Sequence, residues 1–447
     1  MTNPKCEGIH AAESSGLSLQ RNFGWALSGS ILYAACQWGM IVAFAKFGNT
    51  VMVGQFSLGL AIATPIIMFT NLQLRSVQAT DATREYSFAE YLGLRTGMTL
   101  LAMLSIALVI LLGNYARGTT KILFAVACAK CLETLSDVIY GLFQSRDRLD
   151  QIGKSMILRG VVSVAGLSAT LYLTKDAFWS VVVLALTWLL VLLSFDVRRG
   201  RGFLGTVGPT SLGAFMERPR YWFQRQWKLI RLSLPLGIVM TLAAFNQSVP
   251  RYFIHAHLGE RELGIFSALS YTTVSVTLVA DALGASATPQ LSRLFAAGQM
   301  SAFKALMARL AAFGVLLGAG AWIAAKLMGA TLLTIFYSSE YAAHSDVFVR
   351  LMSAAGISAF AALLTYGITS ARSFRIQVPI YLLVVCSNAL GCMLWVRDSG
   401  LAGAASAVML ASLVQVTAFS AAAGWLFISK AKTILPQSTE YDLTISL

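Results

Sequence analysis

Long apolar segments recur along the whole chain, and they restrict what it can fold into. Only 12% of its 447 residues are charged, against about 25% in soluble domains. Segments long and apolar enough to cross a bilayer occur at roughly 23–47, 50–73, 88–113, 119–144, 155–173, 177–195, 229–256, 264–291, 303–328, 346–371, 376–395 and 401–428. The sequence therefore predicts an all-α polytopic membrane protein with about 12 transmembrane helices.

One long basic and aromatic segment divides these spans into two sets of six. We predict a cytoplasmic N-terminal segment at 1–22, a six-helix bundle at 23–195, a cytoplasmic linker at 196–228, a second six-helix bundle at 229–428 and a cytoplasmic tail at 429–447. The N-terminal residues lack the basic start, short apolar core and cleavage site of a signal peptide. The linker is expected to lie at the lipid headgroups, with docking of a specific lipid or partner as the alternative.

The distribution of Arg and Lys predicts the orientation. With the N-terminus in the cytoplasm, the cytoplasmic connections carry most of the basic residues, including the cluster in 196–228, and the outer connections carry few. This asymmetry predicts that both termini are cytoplasmic. It also explains much of the formal net charge of +14, so no nucleic-acid partner is expected.

Short motifs repeat between the two halves. Gly54-Gln55-Phe56-Ser57 opens the second span, and Gly264-Ile265-Phe266-Ser267 opens the eighth. A second repeat follows at an offset of 226 residues: Tyr140-Gly141, Arg146 and Gln151 recur as Tyr366-Gly367, Arg372 and Gln377. Both copies lie at the same end of an even-numbered span, so the repeats are parallel. This arrangement is typical of transporters whose substrate site lies between the halves.

The fourth span carries charges well inside the membrane. Lys130, Glu133 and Asp137 share one face of the helix, whereas the rest of its surface is mostly apolar. A charge facing lipid at the bilayer centre costs a few kcal/mol or more. The stripe therefore faces a wet cavity or the interior of a bundle. The simpler alternative is that Lys130 and Glu133 only pair with each other at the i, i+3 spacing.

Other polar residues at membrane depth extend this set. We predict that the residues lining a substrate cavity are Lys130, Glu133, Asp137, Asn246, Arg251, Asp281, Arg95 and Arg159. Three basic residues at the cytoplasmic ends of even-numbered spans are predicted to form a gate: Arg75, Arg146 and Arg372.

Enzyme and metal motifs give little support to other functions. The chain has no Walker A sequence and no G-x-S-x-G. Cys128 and Cys131 are spaced as C-x-x-C but lie mid-membrane among apolar residues. His255, His257 and Glu260 fit a solvated helix end better than a metal site. We expect no catalytic residue, metal or cofactor, and coupling to a proton or sodium gradient is the natural source of energy.

Several runs are similar to one transporter family. The run from Gly54 to Ala61, the segments 71–75 and 78–81, the stretch Tyr140 to Gln144 and the run from Pro250 to Phe266 resemble the polysaccharide-export flippases of the multidrug/oligosaccharidyl-lipid/polysaccharide (MOP) exporter superfamily. The resemblance implies two six-helix bundles around a central cavity in the bacterial cytoplasmic membrane. It also implies alternating-access transport of undecaprenyl-pyrophosphate-linked oligosaccharides, the repeat units of O-antigen, capsule or exopolysaccharide, to the periplasmic leaflet. Expected partners are that lipid-linked glycan, membrane lipids and the glycan polymerase and chain-length machinery.

The charged residues suit such a substrate. A pyrophosphate is best met by Arg and Lys, and we expect Arg251 and Lys130 to contact it, although Arg251 equally fits a cation snorkelling to the outer headgroups. The carboxylates of Glu133, Asp137 and Asp281 are expected to neutralise these cations in the empty cavity or to bind the coupling ion. Two alternatives remain: a drug/cation antiporter of the same superfamily, and a membrane O-antigen polymerase or ligase.

Overall fold

The computed structural model describes residues 19–81, 85–204, 219–370 and 376–434, which consist of helices and short connections. The helices are α1 Leu19–Phe47, α2 Thr50–Asn71, α3 Leu74–Thr80, α4 Phe88–Leu112, α5 Arg117–Gln144, α6 Leu149–Thr174, α7 Ala177–Val191, α8 Arg198–Leu204, α9 Pro219–Thr272, α10 Val274–Ala296, α11 Met300–Phe336, α12 Ser339–Ala342, α13 Ser345–Ser370 and α14 Gln377–Ile434. A π-helical turn, Leu192–Val197, joins α7 to α8. Arg372 and parts of the predicted terminal segments and linker (1–18, 205–218 and 435–447) lie outside the described residues.

The described helices match the twelve predicted spans. Nine helical runs within the described ranges are long and apolar enough to cross a membrane. Two of these runs each contain two spans, because the backbone turns at Gly259 (φ 86°) and at Gly400 (φ 57°). We call the two parts of helix α9, before and after the turn at Gly259, α9a (219–258) and α9b (260–272). The charged helix α5, with 28 residues, covers the remaining predicted span. The protein is therefore an all-α, multi-pass membrane protein, as the sequence predicted.

The helices form two compact units. The first contains the described residues up to Arg251 together with Gly259–Ala268, and the second contains Tyr252–Leu258 and the described residues from Leu269 onward. Most of α9a, which includes the end of the predicted linker, thus belongs to the first unit. The division of the chain into two six-helix bundles around 196–228 stays a prediction.

The ends of several helices of the first unit meet in one apolar core. The residues of this core come from the α2–α3 connection, from α3 to α6, from the π-helical turn after α7 and from α9a: Leu72, Leu74, Tyr91, Leu94, Val138, Ile139, Tyr140, Phe143, Ile152, Leu192 and Leu229. Helix α4 begins here with a capping box, in which the side chains of Ser87 and Glu90 bond each other's backbone N–H groups. The core therefore fixes the ends of the helices that carry the predicted charged residues.

A close crossing joins α2 to α9b within the first unit, and it uses the first repeated motif. A methyl group at Gly54 would overlap the backbone carbonyl of Glu260, and one at Gly264 would overlap that of Thr50. Each glycine therefore packs against the backbone of the opposite helix, at the residue one turn before the opposite glycine. Small residues permit such an approach between membrane helices, where packing supplies much of the stability.

We expect Gly54→Ala to force this crossing apart and to lower the free energy of unfolding by about 1–3 kcal/mol, the usual cost of overpacking. The measurement is the unfolding midpoint of the purified protein in detergent. Gly97→Ala in α4 is the matched control, because a methyl group there meets no atom within 4 Å; a better helix former should raise stability slightly. Equal effects of the two variants would contradict the importance of the crossing.

Candidate functional site

The charged stripe of α5 faces other helices of the first unit. Tyr33 of α1 donates a hydrogen bond of 2.6 Å to Glu133, and Arg75 of α3 donates one of 3.0 Å to Gln144. Thr134 bonds Thr99 of α4 at 2.9 Å. The stripe therefore faces the interior of the bundle, where its charges meet polar partners.

Asp137 lies between two arginines. Its Oδ2 accepts a hydrogen bond of 3.0 Å from Arg95, and its Oδ1 lies 3.7 Å from the guanidinium of Arg75. Arg95 also donates to the backbone and side-chain oxygens of Asn71, at the end of α2. One carboxylate thus balances two cations from different helices, and Arg95 ties that carboxylate to the end of α2.

Lys130 pairs with Glu133 on the same helix. This is the simple i, i+3 pair that the sequence left open as an alternative. The pair is not isolated, because Tyr33 also donates to Glu133 and the ammonium of Lys130 lies 5.8 Å from the centre of the Trp188 ring. A cation over a Trp face is further stabilised by the ring quadrupole.

Arg159 forms a buried ion pair with Asp196. Their side chains are 2% and 0% exposed, and Nη2 of Arg159 lies 2.9 Å from Oδ2 of Asp196. Ser155 donates a hydrogen bond of 2.6 Å to the other carboxylate oxygen, and Arg159 also donates to Ser136. The charge of Arg159 is therefore neutralised by a carboxylate that is at least as buried as the guanidinium itself.

Two aromatic rings connect these ion pairs. The guanidinium groups of Arg75 and Arg159 each lie 5.6 Å from the centre of the Tyr140 ring. Arg159 also lies 6.0 Å from the Trp188 ring that Lys130 approaches. The three pairs, Arg95–Asp137, Lys130–Glu133 and Arg159–Asp196, thus form one group, which we call the α5 charge cluster together with Arg75, Tyr140 and Trp188.

The cations of the cluster differ in accessibility. The side chains of Arg95 and Arg159 are 1% and 2% exposed, whereas those of Arg75 and Lys130 are 32% and 18% exposed. Of these four cations, only Arg75 and Lys130 expose enough of their side chains to contact an external anion in this conformation. The exposed cations at the edge of the cluster can therefore exchange their counter-ions, whereas the buried cations stay paired with carboxylates.

The remaining predicted residues lie elsewhere. Asn246 and Arg251 are half-buried in α9a of the first unit, and Arg146 is half-buried in the turn after α5. Asp281 lies in the second unit, where Tyr366 donates a hydrogen bond of 3.3 Å to it. The predicted gate of Arg75, Arg146 and Arg372 stays a prediction, since Arg372 is outside the described residues.

Several residues in or next to the α5 charge cluster were not predicted as site residues from the sequence. Asp196 was placed in the linker, one residue beyond the end of the sixth predicted span, yet it is fully buried. The only feature of the sequence that marks Asp196 is its position between a long apolar run and a cluster of arginines. Tyr33 and Asn71, which contact the cluster, were also not predicted as site residues, because a single Tyr or Asn in a span has no pattern that identifies its partner.

Glu260 forms hydrogen bonds to two other helices that the sequence did not predict. Its carboxylate accepts hydrogen bonds of 2.6 Å from Thr119 and 2.9 Å from Gln55, within the first unit. These bonds lie next to the Gly54–Gly264 crossing and join α9b to α2 and α5. In the part of the chain that the structure describes, no group of His, Cys, Asp or Glu is placed to hold a metal ion.

Comparisons with known proteins agree on the fold. No family model matches the chain. The chain is 23% identical over 402 residues to the capsular polysaccharide biosynthesis protein CapF of Staphylococcus aureus, with 89% of this chain and 98% of that protein covered. A solved structure of the lipid II flippase MurJ, in an inward closed conformation, is similar with a TM-score of 0.66 at 11% identity over 90% of this chain and 89% of that one.

A multidrug resistance MATE family transporter of the MOP superfamily, in an inward-facing conformation, is similar with a TM-score of 0.64. Its identity to this chain is 10%, with 94% of this chain and 97% of that one covered. The resemblance inferred from the sequence is thereby confirmed, and the chain has the fold of MOP superfamily transporters.

Proposed function

We propose that this chain, which has the fold of the MOP transporters, is a flippase for lipid-linked oligosaccharides rather than an enzyme. The substrate is an oligosaccharide on undecaprenyl pyrophosphate, moved from the cytoplasmic to the periplasmic leaflet of the bacterial cytoplasmic membrane. The likeness over most of the chain to a capsular polysaccharide biosynthesis protein and the fold shared with a lipid II flippase support this proposal.

The α5 charge cluster is the observation that carries the proposal. It places Arg75 and Lys130, both partly exposed, on the interior side of a membrane-spanning bundle. A pyrophosphate is a concentrated anion, and Arg in particular binds phosphate oxygens through two parallel hydrogen bonds. A membrane protein that only spans the bilayer gains nothing from charges at this depth.

The carboxylates of the cluster explain how these cations tolerate an empty site. Asp137 lies 3.7 Å from Arg75 and Glu133 contacts Lys130. A bound pyrophosphate replaces these carboxylates as the counter-ion of the exposed cations. Arg95 keeps Asp137 in place during this exchange, because its hydrogen bond to Oδ2 is the shorter of the two contacts.

The Glu260 contacts suit the closed end of such a transporter. With both termini in the cytoplasm, the start of α2 lies at the periplasmic side and the α3 end of the cluster at the cytoplasmic side. The Gly54–Gly264 crossing and the bonds from Thr119 and Gln55 to Glu260 then seal the periplasmic end. Alternating access requires these contacts to open while the substrate is released.

The fold is also that of a multidrug transporter, so an antiporter of cationic drugs is the second candidate. Such a transporter favours a cavity dominated by carboxylates. In the first unit, Asp137, Glu133 and Asp196 each carry an arginine or lysine partner. Because these carboxylates are already neutralised and Arg75 adds a further partly exposed cation, the cluster favours an anionic substrate over a cationic one.

The proposal is tested by reconstituting the purified protein in proteoliposomes with a fluorescent oligosaccharide on undecaprenyl pyrophosphate. We expect the protein to expose the inner-leaflet glycan to an external glycosidase faster than protein-free liposomes do. A fluorescent drug cation in the same vesicles is the parallel assay. Transport of the drug with no movement of the lipid-linked glycan would favour the antiporter instead.

A further inference from the structure

The chain breaks between α2 and α3 at two residues in a left-handed conformation. Leu72 has φ 50° and Gln73 has φ 51°. Residues other than glycine rarely adopt this conformation, and two in succession cost free energy that other contacts have to supply. Leu72 is fully buried and packs against Gly237 of α9a, within the first unit.

The contacts around the break lead directly to Arg75. In an unbroken helix the carbonyl of Asn71 would accept a hydrogen bond from the N–H of residue 75. Here the buried guanidinium of Arg95 donates to that carbonyl, at 3.3 Å, and also to the Asn71 side chain. The same guanidinium holds Asp137, whose second oxygen lies 3.7 Å from Arg75.

The break also decides where Arg75 points. Gln73 is the N-cap of α3, and its carbonyl accepts from the N–H groups of Ser76 and Val77 at 2.9 and 3.2 Å. Helix α3 therefore starts anew with Arg75 in its first turn. This start brings Arg75 to Gln144, to Asp137 and over the Tyr140 ring.

We infer that Gln73 is a positioning residue for substrate binding. Its left-handed conformation turns the chain so that the partly exposed guanidinium of Arg75 meets the diphosphate of the lipid-linked substrate. This inference rests on the proposed function, because it assigns a role within the same anion site. Gln73 does not itself contact the anion, so its side chain is dispensable and its backbone conformation is not.

The test separates conformation from side chain. Gln73→Gly removes the side chain but favours the left-handed conformation, whereas Gln73→Val disfavours it through the β-branch. Lys175→Val is the matched control, because Lys175 is an exposed residue with φ 54° at the end of α6, away from the cluster. The probe is undecaprenyl diphosphate, titrated against each protein in nanodiscs, with undecaprenol as the uncharged reference.

We expect Gln73→Val to weaken diphosphate binding about tenfold, the loss of one charge-assisted hydrogen bond, while Gln73→Gly and Lys175→Val bind as the unchanged protein does. Both valine variants should lower the unfolding temperature to a similar degree. Equal binding by Gln73→Val and the unchanged protein would overturn the positioning role alone. Failure of the unchanged protein to prefer the diphosphate over undecaprenol would overturn the proposed function instead.

Discussion

Asp196→Ala is expected to lower the free energy of unfolding by about 3–5 kcal/mol, the cost of leaving one partner of a buried ion pair without its counter-ion. The guanidinium of Arg159 is 2% exposed and would lose the carboxylate 2.9 Å away. Ser155 would lose its acceptor as well. The measurement is the unfolding midpoint of the purified variant in detergent, together with its yield in the membrane.

Asp176→Ala is the matched control for this variant. Asp176 is an exposed residue that caps the start of α7 by accepting from the N–H of Phe178 at 2.7 Å. Loss of such a cap costs about 0.5–2 kcal/mol. A double variant, Arg159→Met with Asp196→Leu, should recover most of the stability, because two apolar side chains replace a buried pair without stranding a charge. A double variant as unstable as Asp196→Ala would contradict this explanation.

Much of the fold was predictable because its causes are local in sequence. A span needs about 20 apolar residues, and that requirement alone located the twelve spans. Two turns, at Gly259 and Gly400, separate spans within continuous helical runs. Both turns fall between predicted spans, because the length of apolar sequence also determines where each span ends. The break at Leu72 and Gln73 was not predicted, since neither residue is a glycine or proline that marks such a turn.

The candidate site was predictable only in part. The spacing of Lys130, Glu133 and Asp137 indicates which face of α5 is turned from lipid, because a helix repeats every 3.6 residues. Their partners come from distant segments, with Tyr33 100 residues from Glu133 and Asp196 37 residues from Arg159. No periodicity relates such pairs, so a single sequence does not reveal them. Which cations are buried likewise depends on packing between helices.

Arg75→Ala is expected to lower the rate of glycan flipping about ten- to hundredfold, if one charge-assisted contact of 1.5–3 kcal/mol to the phosphate is lost. Arg75 is the most exposed cation of the α5 charge cluster. Its removal leaves Asp137 paired with Arg95, so no buried charge is stranded. The variant should therefore keep the unfolding temperature of the unchanged protein while losing transport.

Two further variants and one control variant separate this role from a purely structural one. Arg75→Lys keeps the charge but not the planar fork, so transport should fall between those of the alanine variant and the unchanged protein. Arg95→Ala removes a guanidinium that is 1% exposed and bonded to Asn71 and Asp137, so it should lower stability and transport together. Arg231→Ala, which removes an exposed arginine over the Trp227 ring, controls for the loss of one positive charge. Transport by Arg75→Ala at the rate of Arg231→Ala would show that Arg75 does not bind the substrate, since both variants lose the same charge and differ only in where it lay.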